Sequence, residues 1–292
     1  MMIKKLLKIV LICGLINQFI IPVNAETINQ NIENKNIILR SLDFKTVMMA
    51  FYQKEIKFVK IPELEQEHLQ YVGVTDHENA SNDEDKAVLI FNAALPYRNK
   101  NNQLRYLLTL TKFPLSGGSS PSLRIGKFQV NQTTIYIFKK NQDGQFQLLS
   151  ESAEKLLNDD FMYLPYPSDK IIKNIKNVGS NIKGYVEEQE YSQNGYSSTK
   201  LIIMPFEDKP NIKSFEVAEI DSDNEVTGND KIYNSHGEYY FLSTEHDGLY
   251  DIEIRYSGTK QIYIGDVAKI VPINETHVYH YNQAQQKYIR VK

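Results

Sequence analysis

The segment TTIYIFKKNQDGQFQLL, residues 133–149, decides the fold class of this chain. Its start alternates isoleucine with Tyr136 and Phe138, so that both faces of an extended segment are apolar, as in a strand covered on both sides. The pair Asp143-Gly144 is a signature of the tight turn that joins two antiparallel strands. The segment therefore predicts a β-hairpin whose first strand is buried on both faces.

Strand and turn signals of the same kind recur along the chain. Residues 87–113 predict a hairpin around the polar segment RNKNN, and Asn194-Gly195 predicts another between GYVEEQEY and SSTKLIIM. Aromatic strands flank residues 245–248, EHDG, and residues 276–291, THVYHYNQAQQKYIRV, predict a terminal hairpin that echoes the first one. Regularly spaced short strands with turn dipeptides between them indicate a mainly antiparallel β protein.

Three segments predict helices between these strands. Residues 41–56 carry apolar side chains at helical spacing, with Ser41 or Asp43 as the N-cap. Residues 151–161 also have a helical pattern, and residues 168–178 begin with a capping serine and carry an isoleucine stripe.

The predicted fold class is accordingly a β-rich α+β fold, mainly antiparallel, with two β-modules that are each preceded by a helix. The first module is predicted to span residues 37–165 and the second residues 166–292. The boundary is placed near residues 163–180, where YLPYP interrupts the chain. The pattern leaves a sandwich, a curved sheet and propeller-like blades open.

The two hairpin segments raise the question of an internal duplication. Each half carries an Ile-Gly pair, at residues 125–126 and 264–265, then a connection that opens at Asn131 or Asn274, then an aromatic hairpin. A duplicated β-module accounts for this order. The other explanation is that hairpins of this composition resemble one another, since only a handful of positions match.

The first residues have the layout of a secretory signal peptide. Residues 1–25 combine a basic start, an apolar run and a small-residue end at Ala25, which predicts cleavage after that residue and export to a periplasm or beyond. Residues 26–36 form a polar leader. The single cysteine, Cys13, lies inside the signal segment, so the mature chain contains no disulfide and no thiol nucleophile.

Charge and motifs restrict the possible functions further. Three lysines leave with the signal peptide, so the formal charge changes from −3 to −6, which disfavours nucleic acid as a partner. No stable membrane insertion is expected after cleavage. The segment Gly117-Gly118-Ser119-Ser120 lacks the pattern of a serine-nucleophile elbow and is typical of a flexible loop. The sequence therefore nominates no catalytic residue.

Two segments carry side chains of the types that bind metal ions. An acidic segment offers calcium ligands, although Val226 and Ile232 stand where an EF-hand requires glycine and glutamate. The calcium candidates are Asp221, Asp223, Glu225 and Asp230. His277 and His280 are three residues apart on a predicted strand, so their side chains point to opposite faces and cannot bind one ion without a bulge.

The surplus of tyrosine, 19 residues against no tryptophan, predicts a different kind of site. Tyrosine suits half-buried sheet faces and protein interfaces, because its ring packs while its hydroxyl stays hydrated. An aromatic face rimmed by carboxylates is expected to capture a basic partner, whereas ordinary sheet packing is the alternative. The candidate surface comprises Tyr239, Phe241, His246, Tyr250 and Tyr256.

The sequence is compatible with three functions. The first is an exported, non-enzymatic binding protein with a protein partner, such as an inhibitor or immunity protein acting on a toxin or a cell-wall hydrolase. The second is a structural or surface protein associated with the cell envelope. The third is a hydrolase that uses two carboxylates, with or without calcium, in a cleft between the two lobes.

Overall fold

The computed structural model describes residues 37–75, 86–115, 131–152, 156–158, 168–225, 232–265 and 267–291. The predicted signal peptide and polar leader lie outside these residues, as do residues 163–167 of the predicted module boundary. In the described chain the fold is mostly antiparallel β with few helices, and the predicted fold class is confirmed.

Seventeen strands are present in the described residues. The first eight are β1 (Ile38–Leu39), β2 (Ile56–Lys57), β3 (Gln70–Thr75), β4 (Lys86–Arg98), β5 (Leu104–Pro114), β6 (Asn131–Lys140), β7 (Phe146–Ser152) and β8 (Leu156–Asn158). The others are β9 (Ile175–Asn177), β10 (Lys183–Gln193), β11 (Tyr196–Phe206), β12 (Asn211–Ile212), β13 (Phe215–Asp223), β14 (Asn234–His246), β15 (Leu249–Ile264), β16 (Val267–Asn282) and β17 (Lys287–Arg290).

The described part of the chain also contains three short helices, α1 (Phe44–Tyr52), α2 (Pro62–Gln66) and α3 (Ser168–Lys173). Helix α1 begins where the sequence predicted, because the Asp43 side chain accepts a hydrogen bond from the Thr46 backbone N–H at 2.9 Å. None of the helices in the described part of the chain has the length and apolar character needed to cross a membrane.

The first sheet has the strand order β1-β7-β6-β5-β4-β3-β2, with β8 added beside β6 and β12 beside β7. Strand β6 is buried on both faces, as its sequence predicted. Ile135 and Ile137 pack in one core cluster, whereas Tyr136 and Phe138 pack in another beneath helix α1. The rings of Phe51 and Tyr136 lie 4.8 Å apart and fix the helix to the sheet.

The second sheet has the strand order β17-β16-β15-β14-β13-β11-β10-β9 and curls into a half-barrel. Its curvature brings β13 close to β17 and β16. The rings of Phe215 and Tyr281 are 4.9 Å apart, and Tyr256 donates a hydrogen bond to the Glu219 carbonyl oxygen at 2.8 Å. The inner face encloses an apolar core that includes Leu201, Ile252 and Ile254.

The two sheets share contacts through a third core cluster. Ile137 of the first sheet packs there with Tyr185 and Met204 of the second. Strand β12 pairs in parallel with β7, and the buried Arg105 forms an ion pair with Asp208 in the connection before β12. A charged bridge and a common apolar layer therefore fasten the sheets to each other.

Turn geometry confirms the hairpins predicted from dipeptides. Asn194 and Gly195 both have positive φ, 53° and 83°, as do Asp247 and Gly248, 50° and 85°. Two successive positive φ angles define the turn whose twist matches that of the flanking strands, and few residues besides asparagine, aspartate and glycine adopt them readily. The β10–β11 and β14–β15 hairpins follow from these two turns.

Two helix predictions are wrong in part. Residues 156–158 of the segment predicted as a helix form β8, which pairs with residues 131–133 of β6. Helix α3 ends at Lys173, and residues 175–177 pair with β10 as β9. In both segments the backbone forms hydrogen bonds with a neighbouring strand, β6 for β8 and β10 for β9. This pairing outweighs a weak local preference for helix.

The duplication is not shown by the structure. Ile264 is the last residue of β15, and Gly265, with a φ of +60°, begins the turn to β16. The other Ile-Gly pair, residues 125–126, lies outside the described residues. Asn274 lies inside β16 and pairs with Ser257, so no connection opens there. The terminal hairpin, β16–β17, is present at the edge of its sheet, whereas β6–β7 lies inside the first sheet.

Candidate functional site

The concave side of the second sheet carries a cavity of about 540 Å³. Residues of β11, β13, β14, β15, β16 and β17 line it, because the curl of the sheet turns these strands toward one another. Its most common lining residue is tyrosine, represented by Tyr196, Tyr233, Tyr256 and Tyr263. A volume in this range suits a small molecule or a few side chains of a partner.

A charged network forms one wall of the cavity. Lys260 donates a hydrogen bond to Glu275 at 2.5 Å, and His277 Nε2 lies 3.0 Å from the other oxygen of the same carboxylate. These hydrogen bonds, with Lys260 the larger influence, lower the pKa of Glu275. The carboxylate is therefore ionised at neutral pH and holds the lysine and the histidine in place.

Tyr256 and His277 form the floor of the cavity. Their rings lie 4.9 Å apart, and both residues are 9 % exposed. Burial raises the pKa of Tyr256, so its hydroxyl remains neutral. This hydroxyl donates a hydrogen bond to the backbone carbonyl oxygen of Glu219. This floor is a rigid surface fixed by packing.

Two tyrosines at the rim are far more accessible. Tyr196 is 48 % exposed and Tyr263 is 69 % exposed. Tyr263 belongs to a ribbon of two strands, because pairing between β14 and β15 ends at Gly258 while pairing between β15 and β16 continues to Ile264. Rings of this kind can close on a partner without disturbing the core.

The tip of this ribbon is apolar. Ile264 is 56 % exposed and Val267 is 55 % exposed, beside Tyr263. Exposed large apolar side chains that lie together often mark a contact surface. The ribbon tip, defined as Tyr263, Ile264 and Val267, adjoins the cavity through Tyr263.

The structure brings part of the predicted aromatic surface together. The ring of Phe241 lies 6.2 Å from that of Tyr239 and 6.4 Å from that of Tyr250. Tyr239 and Phe241 pack against the core of the half-barrel, and Tyr256 belongs to that core as well as to the cavity. His246 contacts Asp251 instead. Binding by these residues stays a prediction.

The described calcium candidates are each engaged by neighbouring groups. Asp221 Oδ1 lies 2.6 Å from His236 Nδ1, and Asp223 accepts hydrogen bonds from the Ser197 hydroxyl and the Glu225 backbone. Glu225 accepts from the Asn234 amide at 2.9 Å. Asp230 lies outside the described residues. These contacts secure the ends of β13 and β14, and calcium binding remains a prediction.

A cluster of two histidines and one aspartate occupies the other side of the same sheet region. His246 Nδ1 lies 2.6 Å from Asp251 Oδ1, and His280 Nε2 lies 3.6 Å from Asp251 Oδ2. The two imidazole rings stack with centroids 3.7 Å apart. His277 contacts Glu275 and Tyr256 instead, in agreement with the odd spacing that separates His277 from His280.

Sequence reasoning missed this cluster because its members are brought together by strand register. A shift in the β14–β15 register between Phe241 and Glu245 sets which face His246 occupies. The available signal was the Asp247-Gly248 turn, which makes residues on either side of it neighbours.

Comparison with known proteins adds no relative. No protein family matches the sequence, and neither the curated proteins nor the solved structures include a match. The fold and the cavity define the chain as an antiparallel β protein with a tyrosine-lined concave face.

Proposed function

We propose that this chain is an exported, non-enzymatic binding protein that holds a protein partner on the concave face of its second sheet. The observation that carries the proposal is the cavity of about 540 Å³ with two exposed tyrosines, Tyr196 and Tyr263, at its rim. Tyrosine is enriched in protein interfaces and contributes strongly to their affinity. The export step rests on the signal-like residues 1–25.

The chemistry of the cavity supports a basic contact on the partner. Glu219 and Glu275 line it together with Lys260 and Arg290, and hydrogen bonds keep Glu275 ionised. A lysine or arginine of the partner would compete with Lys260 for Glu275 while its aliphatic part packs on the rim tyrosines. An inhibitor or immunity protein, which occupies a toxin or a cell-wall hydrolase, is a binding protein of this kind.

The same carboxylate argues for binding over hydrolysis at this place. A carboxyl group that donates a proton to a leaving group needs a raised pKa, whereas that of Glu275 is lowered. Its neighbour Lys260 reinforces the ionised form. Glu275 is therefore suited to electrostatic contact and unsuited to general acid catalysis.

The test is affinity capture followed by measured affinities. Immobilised protein is incubated with extract of the source organism, and the captured partner is then titrated against variants. Replacing Tyr196 or Tyr263 with alanine is expected to weaken binding about tenfold or more, which corresponds to about 1.4 kcal/mol. The matched control is Phe58→Ala, because Phe58 is 94 % exposed and follows β2 in the first sheet.

Two results contradict the proposal. One is failure to capture any specific partner, and the other is a partner whose affinity is unaffected by Tyr196→Ala and Tyr263→Ala. Loss of affinity in Phe58→Ala alone would move the contact surface to the first sheet.

The ribbon tip favours a second candidate, a protein attached to the cell envelope. Its exposed apolar side chains suit contact with a lipid surface or a membrane component. Fractionation separates the two candidates: the binding protein is expected in the soluble periplasm, and the envelope protein with the membranes. In the second case the double variant Ile264→Ser and Val267→Ser is expected to release the protein into the soluble fraction.

A further inference from the structure

We propose that His246, Asp251 and His280 form a binding site for a divalent transition metal ion of the zinc class. The residues come from the adjacent strands β14, β15 and β16, and one ligand atom from each lies within 4.8 Å of the others. The site is separate from the cavity and goes beyond the proposed binding function.

The geometry points two ring nitrogens at one carboxylate. His246 Nδ1 lies 2.6 Å from Asp251 Oδ1, and His280 Nε2 lies 3.6 Å from Asp251 Oδ2. An ion bound between them takes both nitrogens and one carboxylate oxygen at about 2.0–2.2 Å, the distances that zinc prefers. The hydrogen bond between His246 and Asp251 is then replaced by two bonds to the metal.

The histidines have the freedom to reach this arrangement. Their rings stack with centroids 3.7 Å apart and an interplanar angle of 12°, so the two imidazole planes are nearly parallel. Their side chains are 48 % and 30 % exposed, which allows each ring to turn toward a common point. The change required is a rotation of two partly exposed imidazoles, and the strands stay in place.

Asp251 already has a fixed position, which favours metal binding. It is 2 % exposed, and the Thr244 hydroxyl donates a hydrogen bond to its Oδ2 at 2.5 Å. Such a contact orients a ligating carboxylate and tunes its basicity. A buried carboxylate beside two imidazoles also favours cation binding, because little water competes for the carboxylate oxygens.

The backbone beneath the cluster is closely packed. A Cβ atom added to Gly179 would lie 2.2 Å from the Gly248 carbonyl oxygen, so the loop at Gly179 touches the β14–β15 turn directly. The Tyr250 N–H donates to the Val178 carbonyl oxygen at 2.8 Å. The turn that positions His246 and Asp251 is thereby fixed on a second element, as a precise ligand set requires.

The ligand types select the ion. Two imidazoles with one carboxylate suit zinc, nickel or copper, whereas calcium and magnesium prefer shells made of oxygen. Three protein ligands leave one position of a tetrahedral shell for water or for a group from a partner. The site is expected to bind zinc with an open coordination position.

Calorimetric titration of Zn²⁺ into chelator-treated protein tests the site. We expect one bound equivalent, and at least tenfold weaker affinity in each of His246→Gln, His280→Gln and Asp251→Asn. The matched control is His236→Gln, which removes another histidine with its Nδ1 2.6 Å from an aspartate oxygen, in that case Asp221. Among the described residues no second histidine joins His236 at that carboxylate, so this variant is expected to leave the affinity unchanged.

Cobalt substitution gives a second readout. Co²⁺ bound by these three ligands is expected to show the intense visible absorption of a tetrahedral site, and His246→Gln is expected to abolish it. Because His246 is partly exposed, this variant keeps the test decisive even where Asp251→Asn fails to fold. The proposal is wrong if the protein binds no Zn²⁺ at micromolar concentration, or if His236→Gln weakens binding as much as the three site variants do.

Discussion

At the scale of single residues, the local capping of α1 is the feature that sequence predicts best. An aspartate ahead of an apolar helical pattern signals an N-cap, and Asp43 accepts hydrogen bonds from the hydroxyls of Ser41 and Thr46 as well as from the Thr46 backbone. These donors, Ser41 first, lower the pKa of Asp43 from 3.8 to about 2. Every partner is within three residues, so the prediction needs no knowledge of tertiary structure.

Replacing Asp43 with alanine is expected to lower the free energy of unfolding by about 1 kcal/mol, because the first turn of α1 loses its acceptor. Since folding lowers the pKa of Asp43 to about 2, its ionised form stabilises the protein fully above about pH 4. This contribution is lost as the pH falls from about 4 to about 2. Unfolding in urea at a series of pH values between about 4 and about 2 measures this change in the free energy of unfolding.

Asp43→Asn serves as the control, since asparagine also caps helices but does not titrate. The difference in stability between the native protein and Asp43→Asn is expected to shrink toward pH 2. A difference that stays constant through the acid range would show that the carboxylate charge plays no part.

The histidine–aspartate cluster is the opposite case at this scale. His246, Asp251 and His280 are ordinary residues in the sequence, and no spacing rule connects His280 to the other two. Their meeting depends on a register shift in β14 and on the pairing of β15 with β16. Register of this kind is set by packing along whole strands, which a local pattern does not contain.

At the scale of elements, the strand pattern of β6 predicted burial on two faces, and the structure shows where each face packs. Ile137 faces the layer shared by the two sheets, and Phe138 faces helix α1. The short strands β8 and β9 were missed because three-residue segments have too little periodicity to outweigh neighbouring helical signals. Their existence depends on open backbone positions along β6 and β10.

Removing a buried side chain from either face of β6 is expected to lower the stability of the protein strongly. Ile137→Ala and Phe138→Ala should each lower the free energy of unfolding by about 3 kcal/mol or more, because both side chains are at most 1 % exposed and leave a cavity. Leu104→Ala is the control at a residue that is 41 % exposed. Equilibrium unfolding in urea gives the three values.

If Ile137→Ala or Phe138→Ala lowered the free energy of unfolding as little as Leu104→Ala does, burial of β6 on two faces would be contradicted. If only Ile137→Ala were tolerated, the layer between the two sheets would be loosely packed, and the shared core cluster would lose its role in fastening them.

At the scale of the whole molecule, the sequence predicted an antiparallel β protein but not the curl of its second sheet. The cavity exists because β13 approaches β16 and β17, a long-range arrangement that no hairpin signal specifies. Of the aromatic surface predicted from the sequence, Tyr256 lines this cavity, whereas Tyr239, Phe241, His246 and Tyr250 are not among its lining residues. The rim residues Tyr196 and Tyr263 became recognisable only through their exposure in the folded chain.

Taken together, the concave face combines an ionised carboxylate, a rigid aromatic floor and two exposed tyrosines. The first sheet supports it through the common core layer and the Arg105–Asp208 bridge. We therefore propose a division of roles in which the first sheet is the scaffold and the second sheet is the contact surface.

Site-specific photo-crosslinking tests this claim most directly. The photoreactive residue benzoylphenylalanine is placed at Tyr196, Tyr263 or, as the control on the first sheet, Phe58, and each protein is irradiated in extract of the source organism. We expect one discrete adduct from the two tyrosine positions, suppressed by excess unmodified protein, and none from Phe58. An adduct from Phe58 alone, or no discrete adduct from either tyrosine position, would contradict it.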